Sequence, residues 1–135
     1  MLENYCKTVN IEANTMVDMV RKNYLPAIED YLYRLAETTS MMRSVSSNVK
    51  CNYEISTMER LSELTDYILE RVKDLEKSLA DLKGIDSVLK SSEFIRDDMI
   101  PKMEHLRKHV DEAEILTSEK DWPFPSYGKL LFSVY

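Results

Sequence analysis

The chain is 135 residues long, one domain's worth of protein, with 44% hydrophobic and 31% charged residues. Two glycines, far apart at Gly84 and Gly128, supply too few turns for an all-β sandwich or a Rossmann-like fold, and they exclude a glycine-rich phosphate loop. The formal net charge of −6 is spread along the chain without a basic face, which gives no electrostatic reason to bind nucleic acid or anionic lipid.

The first segment runs from about Leu2 to Arg43. Val9, Ala13, Met16, Val20, Ala27, Tyr31, Leu35 and Met42 recur near helical spacing. Pro26 lies inside this pattern, where proline costs about 3 kcal/mol and bends the axis. The apolar phase resumes beyond it, so the expectation is one kinked helix, or two if the helix breaks there. Ser44 to Asn52 reads as a connecting loop, or as a frayed helix end.

In the second segment Met58, Leu61, Thr65, Ile68, Val72, Leu75, Leu79 and Leu82 alternate spacings of three and four, a heptad seam. Ile55, Leu64, Leu69, Ile85 and Leu89 widen it beyond a coiled-coil stripe, which suits a bundle with several neighbours. Glu70 with Lys73 and Asp74 with Lys77 are expected as ion pairs on the wet face. Gly84 should kink or end this helix.

The third segment begins near Ser92 and Glu93, with Ser91 or Ser92 as N-cap. Ile95, Met99, Met103, Leu106, Val110 and Ala113 form its stripe, Pro101 sits within it, and the helix should fade near Thr117. Three rods of this length predict an all-α, antiparallel up-down bundle over residues 1–120, with four helices if the first breaks at Pro26. No internal repeat is evident.

Residues 121–135 differ in kind. Pro123 and Pro125 force extended backbone around them. Trp122, Phe124, Tyr127, Leu130, Leu131 and Phe132 make the tail too apolar to leave in water, and mark it as a candidate packing or interface element, on this bundle or on a neighbour.

Candidate chemistry is sparse. His105 and His109 stand one helical turn apart, but Leu106 occupies the position where a zinc-protease helix needs glutamate. His105 followed by Lys108 is the start of a histidine-phosphotransfer pattern, but His109 stands where that pattern has glycine. Glu29-Asp30, Asp97-Asp98 and Asp111-Glu112 point about 100° apart on a helix and form no acid–base dyad. The expectation is therefore no catalytic residue, no metal site and no cofactor site in this chain. Cys6 and Cys51 read as free thiols of a reducing cytoplasm. No stretch is apolar enough for a membrane span.

Two stretches carry a resemblance. Leu2-Glu3-Asn4-Tyr5-Cys6-Lys7-Thr8-Val9-Asn10-Ile11-Glu12-Ala13, continuing through Thr15-Met16 to Leu25-Pro26-Ala27, resembles the start of the C-terminal region of type III glutamine synthetases. The ending from Trp122-Pro123-Phe124-Pro125 to Leu131-Phe132 is similar to that family too, as are Asp98-Met99-Ile100-Pro101-Lys102-Met103 and Leu106-Arg107. The resemblance implies a noncatalytic C-terminal fragment of a much longer bacterial enzyme of nitrogen metabolism, a glutamate–ammonia ligase. That enzyme would use ATP with magnesium or manganese, through a γ-glutamyl phosphate. None of its catalytic residues maps onto this chain. The implied partners are the remainder of the parent chain and other subunits of a homo-oligomer, with a structural or assembly role for the bundle. Met1-Leu2-Glu3 enters the helical pattern almost at once, as a domain cut from something longer would. The alternatives are a free-standing helical interaction bundle and, behind it, a phosphotransfer bundle.

Overall fold

The computed structural model describes residues 1–124, and Tyr127, Leu130, Leu131 and Phe132 of the candidate tail set lie outside them. Among the described residues the regular elements are all helical, and they form three rods. The first is α1 (Leu2–Met19), a π-helical turn (Val20–Tyr24) and α2 (Leu25–Val45), continuous through Pro26. The second is α3 (Asn52–Lys83). The third is α4 (Val88–Phe94), a second π-helical turn (Ile95–Met99) and α5 (Ile100–Leu116), continuous through Pro101.

The two prolines neither break their helices nor sit in ordinary α-helical turns. Proline has no N–H, and its ring collides with the carbonyl four residues back. In each rod the turn before the proline opens to a wider spacing. The Leu25 N–H reaches back to the Val20 carbonyl, and the Ile100 N–H to the Ile95 carbonyl. Such single-turn π-bulges are rare inside α-helices. Here the same bulge occurs twice, one residue before a Leu-Pro or Ile-Pro pair. Val20-Arg21-Lys22-Asn23-Tyr24-Leu25-Pro26-Ala27-Ile28 and Ile95-Arg96-Asp97-Asp98-Met99-Ile100-Pro101-Lys102-Met103 thus share one local geometry. Their apolar members fall at spacings of four and four, Val20-Tyr24-Ile28 and Ile95-Met99-Met103. That spacing drifts off the face of an α-helix but stays in phase through a π turn.

The ends of the rods have local causes. α3 starts at Cys51, which is held in the left-handed region (φ 55°) and accepts the Ile55 N–H on its carbonyl. It stops at Gly84, where the N–H groups of Gly84 and Ile85 bond to the Asp81 and Leu82 carbonyls and tighten the last turn. The third rod is capped by Ser87, whose hydroxyl accepts the Lys90 N–H at 3.3 Å. Ser91 and Ser92 are therefore not the cap. The rod starts earlier than expected because Val88 and Leu89 belong to it rather than to α3, and Leu89 is exposed instead of widening the α3 stripe. At its far end the rod closes on Thr117, whose N–H and hydroxyl both donate to the Ala113 carbonyl.

α3 is the central element and packs against both other rods. Leu61, Leu64, Ile68, Val72 and Leu75 are fully buried, facing Ile28 of the first rod and Ile95, Met99 and Leu106 of the third. Each such side chain contributes about 1.5–3 kcal/mol on burial. Met42, placed on the first seam by its spacing, is instead exposed, and Val17, Ile28 and Thr39 take buried positions there. The expected pairs on the wet face of α3 give way to Arg60–Glu63 and Arg71–Asp74.

Polar links tie the rods at several levels. Arg21 donates two bonds to Glu76, while the hydroxyls of Tyr31 and Tyr53 meet at 3.0 Å. Partners therefore descend along α3 as they ascend along the first rod. Arg60 with Glu112 and Ser78 with Asp98 show the same opposed order between α3 and the third rod. Cys6 lies by the Val88 carbonyl and Tyr24 by Trp122, so the first and third rods ascend together.

Candidate docking surface at the tail exit

Both π turns present a polar residue to one stretch of α3. Arg21 clasps Glu76, and its guanidinium is held more firmly charged by that hydrogen bond. On the other side Asp98 accepts from the Ser78 hydroxyl at 2.5 Å, Lys102 donates to the same oxygen at 2.7 Å, and Lys102 and Asp98 are 3.2 Å apart. Serine, lysine and aspartate together invite comparison with a hydrolytic dyad. Ser78 is only 1% exposed, however, and its proton is already committed to Asp98, so no substrate can reach it. The cluster satisfies a buried hydroxyl and pins the bulge of the third rod to α3.

The histidines are also engaged structurally. A ring nitrogen of His109 is 2.9 Å from the His105 carbonyl, and the His109 ring leans on Tyr67 with centroids 5.5 Å apart. His105 is exposed. Among the described residues no group of three His, Cys, Asp or Glu side chains is placed to hold a metal ion. Cys6 and Cys51 are both free, at opposite ends of the bundle.

The richest surface lies where the chain leaves the third rod. After Thr117 the N–H groups of Asp121 and Trp122 both bond to the Ser118 carbonyl, which turns the chain back over the first rod. The Asp121 carboxylate is clasped by Arg34, which also lies over the Tyr31 ring at 5.6 Å from its centroid. Burial and the bond to Tyr53 push the Tyr31 hydroxyl up to about 12. Trp122 stacks on Tyr24 with ring centroids 5.0 Å apart and planes 24° from parallel, and Phe124 meets the same ring edge-on at 5.5 Å. Burial, with the charges of Glu114 and Asp111, raises the Tyr24 hydroxyl above its ordinary value. Of the tail residues singled out from sequence, Trp122 and Phe124 are thus brought together on Tyr24. Tyr24, Arg34 and Asp121 complete the arrangement, and sequence reasoning assigned them no part in it. Tyr24 and its partner Trp122 are almost a hundred residues apart in the chain.

Tyr24 also closes one end of an apolar groove of about 410 Å³ between the first and third rods. Ile11, Met16 and Met19 form one wall, Met103 and Val110 the other, and Glu12, Arg107 and Asp111 stand among them. Ile11 is 65% exposed. At the opposite end of the bundle from α4, Met41 and Val45 stand exposed one turn apart at the end of α2. Among the described residues no helix is long and apolar enough to cross a membrane.

Comparison with known proteins finds similarity to glutamine synthetases. A family model described as the glutamine synthetase C-terminal domain matches residues 1–43. A glutamine synthetase of Butyrivibrio fibrisolvens is 28% identical over 99% of this chain and 19% of its own length. A type-3 glutamine synthetase of Dictyostelium discoideum is 28% identical over 98% of this chain and 18% of its own, and a glutamine synthetase of Bacteroides fragilis (strain YCH46) is 28% identical over 98% and 19%. The chain therefore spans about a fifth of the length of the curated relatives it matches. No solved structure matches it. The resemblance to the C-terminal region of type III glutamine synthetases, read first from the two ends of the sequence, stands on these matches.

Proposed function

We propose that this chain is the noncatalytic C-terminal helical portion of a larger glutamine synthetase and that it serves the packing of that enzyme's subunits. The parent would join ammonia to glutamate in the cytoplasm, as part of nitrogen metabolism, with ATP and magnesium or manganese, through a γ-glutamyl phosphate. Its catalytic residues and its metal would lie in the remainder of the polypeptide. The observation that carries this reading is similarity along almost the whole of this chain to only about a fifth of each relative. Two of those three relatives are bacterial, which supports a bacterial parent.

A packing role fits the surfaces. The polar clusters at the bulges face inward and hold rods together, whereas Met41 and Val45 stand exposed one turn apart at the end of α2. Exposed apolar side chains of that kind are candidates for contact between proteins. The partners are then the rest of the parent chain and its sister subunits in a homo-oligomer.

The test uses the parent enzyme with Met41→Glu and Val45→Glu at the free end of α2. Both side chains are exposed, so the bundle itself is expected to keep its helicity. The expected result is a smaller particle by light scattering, with circular dichroism unchanged. An oligomer of unchanged mass and thermal stability would refute the assembly role of this surface.

A further inference from the structure

We propose that the apolar groove between the first and third rods receives an amphipathic helix from the remainder of the parent polypeptide, as a fourth rod of the bundle. This rests on the reading that the chain is one part of a longer enzyme, and adds to it the chemistry of the segment that this part binds.

The first and third rods run the same way, and both oppose α3. They meet where α1 packs on α4. Beyond that contact the groove lies between α1 with its π turn and α5. Three rods placed in this way occupy three corners of an up-down bundle and leave the fourth corner to another helix.

Both walls have the form that a helix fits. On the first rod Ile11, Thr15 and Met19 follow one another at intervals of four, and on α5 Met103, Arg107 and Asp111 do the same. Rows at that interval are the ridges between which a packing helix sets its own side chains. From Ile11 to Tyr24 the first wall is roughly 20 Å long at 1.5 Å per residue, which suits about three to four turns of helix. The floor is buried and apolar at Val20, Leu106 and Val110, whereas Ile11 on the rim is 65% exposed. An apolar stripe of that kind on a surface helix is the side that faces a neighbour.

The charges on the rims restrict what the helix can be. Glu12 stands on one side, with Arg107 and, one turn further on, Asp111 on the other. The matching helix carries apolar anchors at i, i+3, i+4 and i+7. Beside them it carries a carboxylate for Arg107 and, one turn away, a lysine or arginine for Asp111. About four-fifths of the length of each relative lies outside its match to this chain, so a longer polypeptide of that kind has ample sequence to supply such a helix. A helix joined to the bundle through a short flexible connection is presented at an effective concentration near the millimolar range, an advantage that no separate protein has.

The experiment is photo-crosslinking in the full-length polypeptide that carries this chain. The photoreactive residue p-benzoylphenylalanine replaces Ile11 in one variant and Arg107 in a second, one on each wall. Both positions are exposed, and circular dichroism checks that helicity is kept. The assembled protein is irradiated and digested, and the crosslinked peptides are sequenced by mass spectrometry. The expected result is that both variants capture the same peptide, that it lies outside these 135 residues, and that its apolar residues recur at intervals of three and four. Capture of a peptide within residues 121–135 would overturn the proposal in favour of the chain's own C-terminal run. Crosslinks confined to residues 1–120 would overturn it in favour of an open groove or a second copy of the bundle, and so would the absence of any crosslink. Intact mass and glutamine formation, measured on the same preparation, report separately on the glutamine synthetase reading, so the two failures are distinguishable.

Discussion

Replacing Tyr24 by alanine tests whether the aromatic contact at the tail exit holds the chain to its own bundle. Truncating a fully buried aromatic side chain costs about 3–5 kcal/mol. Tyr24 is half-buried, so about 2 kcal/mol is expected. Of that, the stacked pair with Trp122 should account for about 0.5–1.5 kcal/mol beyond the area it covers. A double-mutant cycle with Trp122→Leu isolates the pair. In a chain of this size about 2 kcal/mol lowers Tm by roughly 8 °C. Trp122 is the only tryptophan of the chain, so its fluorescence reports on the contact directly. With the ring gone its emission should shift to the red and become open to iodide quenching. A coupling energy near zero, with Trp122 emission unchanged by Tyr24→Ala, would refute the reasoning.

Three further predictions follow from the packing and the bulges. Leu106→Ala empties a fully buried position between the rods and should cost about 2–5 kcal/mol in urea unfolding, against less than about 0.5 kcal/mol for the exposed Glu104→Ala. Deleting Asn23 converts the first π turn to α and leaves Pro26 in an ordinary helix interior, a loss of about 3 kcal/mol that adding Pro26→Ala should largely restore. The hydrogen bond from Arg60 holds the Glu112 carboxyl below its ordinary value, so the stability it contributes is present above the usual carboxylate range and is lost as pH falls through the depressed value. Because the pair is solvent-exposed the effect should stay under about 1 kcal/mol, and acid titration of stability in Glu112→Gln should lack it.

The third rod was the most legible element, since Ile95, Met99, Met103, Leu106, Val110 and Ala113 all lie in the core. Burial there follows one-dimensional spacing, which a sequence displays openly. In the first rod Ala27, Tyr31 and Leu35 are buried beyond the π turn as their spacing implied, while the inserted residue adds Ile28 to the core and Met42 falls exposed. The sign was present in the four-and-four spacing that spans each proline, but it becomes interpretable only once proline is seen to force the wider turn. Ser87 was obscured by Ser91 and Ser92, each an equally good cap in isolation, and by Leu89, which read as more of α3. The tail's apolar excess was visible in its composition. That Trp122 and Phe124 settle on Tyr24, and Asp121 on Arg34, depends on how the rods align in space, and no local pattern encodes that.

The central claim is that this bundle is one part of a much larger ligase. The most direct test is to isolate the natural polypeptide that carries it, determine its intact mass and assay ATP-dependent glutamine formation. The account predicts a polypeptide roughly five times the length of this chain, from relatives of which it spans 18–19%, that converts glutamate and ammonia to glutamine when supplied with ATP and magnesium or manganese. A natural polypeptide near 15.8 kDa, without that activity, would contradict it.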